Sequence, residues 1–170
     1  MRALIKRFTA SPRVLRLLLN LYPPFLGAGI RVTQVDRDLR RVRVDLPLRW
    51  FNRNYVGTQF GGSLYAMTDP FLMLMLMHNL GPGYVVWDQS AQIKFIRPGR
   101  GRVHVEFELS EARLDEIREQ ANENRRVLPE FTVVVHDESG EAVARVQKTL
   151  YVKRKAPQQR EVSLQPSSTS

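Results

Sequence analysis

One carboxylate, Asp69, stands inside the apolar segment from Asn54 to Gly81, NYVGTQFGGSLYAMTDPFLMLMLMHNLG. An ionised group in such surroundings is costly unless it is paired, hydrated or put to use. Gly61-Gly62 opens the same segment, eight residues before Asp69. At a helix start the first N–H groups lack intrahelical partners and favour developing negative charge. Amide donors plus a lone acid in an apolar tunnel suit ester or thioester hydrolysis. Each element also has a plainer use. Asp69-Pro70 suits an N-cap and first helical residue, restarting a kinked helix. Gly57, Gly61 and Gly62 suit a tight turn and close packing.

Other chemistries find little support. There is no cysteine, which excludes disulfides and thiolate catalysis. The three histidines, His78, His104 and His136, are scattered without ligand-like spacing, so no metal site is expected. A formal charge of +9 points to acidic partners: nucleotide phosphates, nucleic acid or anionic lipid. No aromatic-basic recognition motif supports nucleic acid. Asp88, following Trp87 on a strand, reads as a structural polar contact rather than a second acid. No apolar run reaches the roughly 20 residues of a membrane span. The amino terminus lacks a small-residue cleavage site after its interrupted apolar run, so a cytoplasmic location is expected.

The elements that must position these residues follow from periodicity. Residues 13–21 read as a short basic amphipathic helix stopped by Pro23-Pro24, docked on its own domain in preference to a membrane surface. Ile30 to Val35 and Arg41 to Leu46 form a hairpin, the second strand alternating Val42, Val44, Leu46 against Arg41, Arg43, Asp45. Leu64, Met67, Phe71, Leu72, Leu74, Met75 and Leu76 leave no polar stripe on a central helix of about 62–80, so protein should wrap it. Met73, Met75 and Met77 could line an acyl tunnel or fill the core. Tyr84 to Ile96, long enough for a bulge, places Ala91, Ile93 and Phe95 on one face. Strands around Val103–Leu109, Phe131–Val135 and Ala142–Val152 follow. Leu114, Ile117 and Ala121 mark an exposed helix or hairpin tip. The expected architecture is α+β: an antiparallel sheet of five to six strands curled around one buried helix. Residues 1–153 make a single domain, and the Lys-, Arg-, Gln-, Pro- and Ser-rich 154–170 a disordered tail.

Asn54-x-x-Gly57-x-x-x-Gly61-Gly62, followed seven residues later by Asp69, resembles the pattern of phenylacetyl-CoA-type thioesterases of the hotdog fold. Ile93-Lys94-Phe95-Ile96-Arg97-Pro98-Gly99 resembles their third strand and turn. Residues 54–58, 60–70 and 86–88 are similar to a hotdog family described as tetrameric acyl-CoA thioesterases. The resemblance covers residues 13 to 153 and departs from those families at Phe60 and Gln59, where one or the other carries histidine. It implies hydrolysis of an acyl-CoA without metal or bound cofactor, coenzyme A being part of the substrate. The Gly61 amide, with Gly62, would bind the thioester oxygen, and Asp69 would activate water or attack directly. Gln59 would donate a hydrogen bond in place of histidine. Asn54 would orient the loop or contact substrate, and Lys94, Arg97, Arg100 and Arg102 would meet coenzyme A phosphates. Eight helical residues span about 12 Å, so one chain could hardly serve one carbonyl with both groups. A dimer is therefore expected, and the resemblance adds a tetramer. The alternative is a binding module for acyl groups or acyl-CoA without catalysis.

Overall fold

The computed structural model describes residues 11–124 and 126–156. Its elements run α1 (Pro12–Asn20), α2 (Pro23–Ala28), β1 (Arg31–Val35), β2 (Arg41–Leu46), α3 (Gly61–Ala66), α4 (Phe71–Leu80) and β3 (Tyr84–Phe95). Then come β4 (Val103–Glu108), α5 (Glu111–Asn124), β5 (Arg126–Val127), β6 (Glu130–Asp137) and β7 (Ala142–Arg154). The strands form one seven-stranded antiparallel sheet ordered β1-β2-β4-β6-β7-β3, with β5 paired to β7 off that path. The expected count of five to six missed β5, which at two residues is too short to show alternation. The last strand also runs on to Arg154, so the tail assigned from 154 begins inside it. Beyond Ala156 that assignment lies outside the described residues.

Cross-strand register places Val44, Val105, Val135, Ala144, Val146 and Ile93 on one face, which we call inner. The aromatic ring of Phe71 on α4 meets Phe107 on β4, at 5.1 Å between centroids, and Phe25 of α2, at 5.8 Å. These rings join the helices and the inner face in one core.

The single central helix expected over 62–80 is two helices with a break at Met67–Pro70. Pro70 has no N–H to return to Ala66, so the helical ladder must lapse there. The Ala66 carbonyl instead accepts the Asp69 N–H at 3.2 Å, and the Thr68 hydroxyl donates to the Tyr65 carbonyl at 2.7 Å. The Asp69–Pro70 peptide is cis. Nor is the helix wrapped on all sides. Phe71, Leu72, Met75, Leu76 and Leu80 are buried, whereas Met73, Leu74 and Met77 are only partly covered.

The amino-terminal helix docks on its own domain as expected, and Pro23-Pro24 begins α2 rather than only ending α1. Proline at a first helical position costs no hydrogen bond. Leu15 and Leu19 are buried, and Asn20 acts as an extra rung on the outer edge of β1. Its Nδ2 donates to the Val32 carbonyl at 3.0 Å and its Oδ1 accepts the Val32 N–H at 2.9 Å. The edge strand is thereby covered rather than left as a template for association. Replacing Asn20 with Ala removes both bonds from a partly buried edge and should cost about 1–2 kcal/mol. Equilibrium denaturation should show a lowered midpoint with an unchanged slope.

Candidate active site

Inward positions along β7 read Ala144, Val146, Lys148, Leu150 and Val152, a lysine in an otherwise apolar row. The Lys148 side chain is 0% exposed. Burying an ammonium without compensation costs several kcal/mol. Compensation comes from two carboxylates: Nζ lies 2.7 Å from Asp69 Oδ1 and 3.1 Å from Asp88 Oδ1. The first contact is an aligned hydrogen bond. The second is a charge approach without that alignment, leaving Asp88 Oδ1 buried without a hydrogen-bond donor among the described residues.

Local structure explains why the acids arrive there. Asp69 sits in the break between α3 and α4, free of the helix ladder beyond. The α4 cap position falls on Pro70, and no side chain caps that helix, so the capping use of Asp69 is not adopted. Asp88 pairs with Leu150, Ala91 with Lys148, and the register shifts between Asp88 and Ser90. Residues three apart on a regular strand face opposite ways; one extra residue, Gln89, restores both Asp88 and Ala91 to the inner face. Asp88 thereby reaches Lys148 as a polar contact.

Burial pushes the Asp88 carboxyl above the usual range, and its hydrogen bond with Asp69 adds to this against the pull of Lys148. Burial draws the Lys148 ammonium down, but the hydrogen bond and charge of Asp69, then the charge of Asp88, outweigh it and the net direction is up. The Tyr65 ring of α3 stands 6.0 Å from Nζ. Asp69 keeps 45% of its side chain exposed, against 24% for Asp88. It is thus the more accessible acid of the pair.

The glycine pair begins α3, which no side chain caps. A Cβ on Gly61 would stand 3.0 Å from the Phe95 ring, and one on Gly62 would collide with the Phe60 ring. Both rings are exposed, at 55% each. From Gly61 to Ala66 the helix rises about 8 Å, so Gly61 and Asp69 stand at opposite ends of α3.

Other expected site residues have structural work. The Asn54 side chain builds its own loop: Oδ1 accepts the Val56 and Thr58 N–H groups, and Nδ2 donates to Thr58 Oγ1 and the Gln59 carbonyl. Gln59 is 3% exposed. Its Nε2 donates to the Leu46 and Gly101 carbonyls, each at 2.9 Å, so both amide protons are engaged within the fold. Lys94 pairs with Arg145 on the outer face, across the sheet from Asp69. Arg97 hydrogen-bonds Asp137 at 2.6 Å and the Ala142 carbonyl at 3.2 Å. Arg102 approaches Glu138 at 4.0 Å, and Arg100 is exposed on the β3–β4 turn. Met75 is core, with Met73 and Met77 partly covered beside it. Two surface clefts, one lined by Ser11, Leu15 and His78 and the other by Asp36, Arg41 and Glu108, lie around the β1–β2 turn away from Asp69.

Solved structures share this architecture. A probable thioesterase of Pseudomonas aeruginosa, PA5026, itself of unknown function, superposes with TM-score 0.75 at 20% identity, over 84% of this chain and 95% of its own. The Haemophilus influenzae thioesterase HI1161 gives TM-score 0.62 at 14% identity, over 88% and 95%. A mutant of the P. aeruginosa thioesterase PA1618 gives 0.61 at 12% identity, over 83% and 93%. The fold is that of the thioesterase-like hotdog proteins. By sequence, the chain belongs to the family DUF4442, a domain of unknown function, whose model matches residues 11–152. The comparison with curated proteins finds no match.

A carboxyl whose folded-state pKa lies above its unfolded value contributes stability while protonated and loses it as pH rises through the folded value. Asp88→Asn should therefore flatten the fall in stability above the ordinary carboxylate range. At neutral pH the variant should be at least as stable as wild type, read from denaturation midpoints over a pH series.

Proposed function

We propose that the protein hydrolyses acyl-CoA thioesters, with Asp69 as the group that activates water. The observation that carries this reading is a half-exposed carboxylate, held in a helix break by a buried ammonium, within a thioesterase-like fold. In the reaction Asp69 takes a proton from water and the oxygen adds to the thioester carbon. The oxyanion so formed accepts a hydrogen bond from the uncapped N–H of Gly61, with Gly62 beside it. Collapse breaks the C–S bond, and the departing thiolate recovers the proton from Asp69, giving free acid and coenzyme A. Asn54 and Gln59 serve by fixing the loop that leads into Gly61. Of the basic residues assigned to coenzyme A, Lys94 and Arg100 remain available for its phosphates, while Arg97 holds Asp137. The reaction needs no metal or bound cofactor.

A complete site on this reading takes two copies of the chain, Gly61 from one and Asp69 from the other. Support comes from what one chain leaves open. β1 is covered by α1, but the twelve-residue β3 ends the sheet with its outer edge unpaired among the described residues. Ala91 and Phe95 on its inner face are exposed, and Met73, Leu74 and Met77 on α4 are half-covered. A dimer buries all of these, and a dimer of dimers is the further assembly proposed.

The test is hydrolysis of a panel of acyl-CoAs, short, long and aryl, with size measured by sedimentation. Asp69→Asn should lower kcat at least about 100-fold while the dimer persists. Gly61→Pro removes the amide donor at a first helical position, where proline is tolerated, after a Phe60 already extended at φ −69°, ψ 127°. It should be folded and inactive, and mixing it with Asp69→Asn chains should restore activity through sites built from the two intact halves. A dimer inert on every thioester that nevertheless binds some of them would sink catalysis and establish a binding module.

A further inference from the structure

Three charged groups from three elements meet at the helix break: Asp69 between α3 and α4, Asp88 on β3 and Lys148 on β7. α3 adds only the Tyr65 ring, and among the described residues no other cation forms an ion pair with either acid. One cation faces two carboxylates, so the cluster is neutral when the acids keep one proton between them. The arrangement is also unequal. The ammonium is aligned on Asp69, the more exposed acid, whereas Asp88 is the more buried and approaches it without alignment. Desolvation disfavours the charged form, so the proton belongs on Asp88 and the negative charge on Asp69.

Resting on the hydrolytic reading of Asp69, we infer that Lys148 and Asp88 are positioning residues for the reaction. Lys148 anchors one oxygen of Asp69 and leaves the other to the attacking water. Asp88 keeps the pair's proton, so that a second anion does not draw the ammonium away from Asp69. Neither residue touches the substrate. Both act through the carboxylate that does.

A structural ion pair would affect stability and leave the pH dependence of turnover alone, which makes the pH profile the discriminating readout. kcat and KM are measured against pH for the full chain, on the acyl-CoA it hydrolyses fastest, with Lys148→Met, Asp88→Asn and Asp69→Asn alongside. The wild type should show an upper transition as the partly buried Asp88 carboxyl gives up its proton. Asp88→Asn should lose the upper transition. Lys148→Met places an unbranched apolar side chain in the buried channel. Its kcat near neutral pH should fall at least about tenfold with KM little changed. An upper transition that persists in Asp88→Asn, or an unchanged kcat in Lys148→Met, with Asp69→Asn inactive, overturns this inference and leaves the hydrolytic reading standing. Should Lys148→Met fail to fold, an upper transition that persists in Asp88→Asn is enough to overturn it. An inert wild type, or an active Asp69→Asn, overturns the hydrolytic reading and this inference with it.

Discussion

An ammonium group buried in the sheet's inner face, shut off from bulk solvent, is the constraint on which this architecture turns. Lys148 occupies a position that alternation would give to valine or leucine, and its charge must be met by anions brought in from elsewhere. The two departures from regular structure nearby both deliver one. The lapse between α3 and α4 frees Asp69 from the helix, and the extra residue in β3 keeps Asp88 facing inward. A continuous helix or an unbulged strand would leave the lysine short of a partner, a large loss in a site of low dielectric.

The same cluster lies beside β3, the strand that ends the sheet. At the β1 end of the sheet, α1 closes the edge with Leu15, Leu19 and the amide of Asn20. At the β3 end nothing comparable is present among the described residues, and inner-face positions such as Phe95 stay open. The charged groups therefore sit at the boundary between a dry interior and an accessible rim. Asp69 is half in water and Lys148 not at all. That gradient gives two chemically identical carboxyls different environments, the usual means by which one protein holds an acid and a base side by side.

The loop before the glycine pair shows how polar residues can serve a site without entering it. Asn54 uses both ends of its amide on neighbouring backbone, and Asn52 does the same across to α2, accepting the Arg49 N–H and donating to the Ala28 and Pro47 carbonyls. Gln59 ties the loop to β2 and to the β3–β4 turn through two carbonyls. A segment that is polar and glycine-rich in sequence is thus a firmly held approach to α3. Its aromatic side chains Trp50, Tyr55 and Phe60 point outward.

Much of this was legible from residues alone. Period-two alternation in β2 and β4, the Leu114, Ile117, Ala121 spacing of α5 and the apolar run of α4 each reflect local geometry against one buried face, which sequence spacing reports directly. Asp69 stood out for the same reason, as a charge where local pattern allows none. Lys148 carried an equal signal, a lysine between Val146 and Leu150 in core register, and the pattern Ala142–Val152 contained it unread. What spacing could not supply was which acid would answer that lysine. Asp69, Asp88 and Lys148 are far apart in the chain, and only the pairing of β3 with β7 and the seating of the helix break against them brings them within hydrogen-bond reach. The fate of Asn54, Gln59 and Arg97 was decided in the same way, by backbone carbonyls and carboxylates supplied from other elements. Sequence determined where charge is costly; the tertiary fold decided how that cost is met, because electrostatic and hydrogen-bond energies depend on distances in space rather than along the chain.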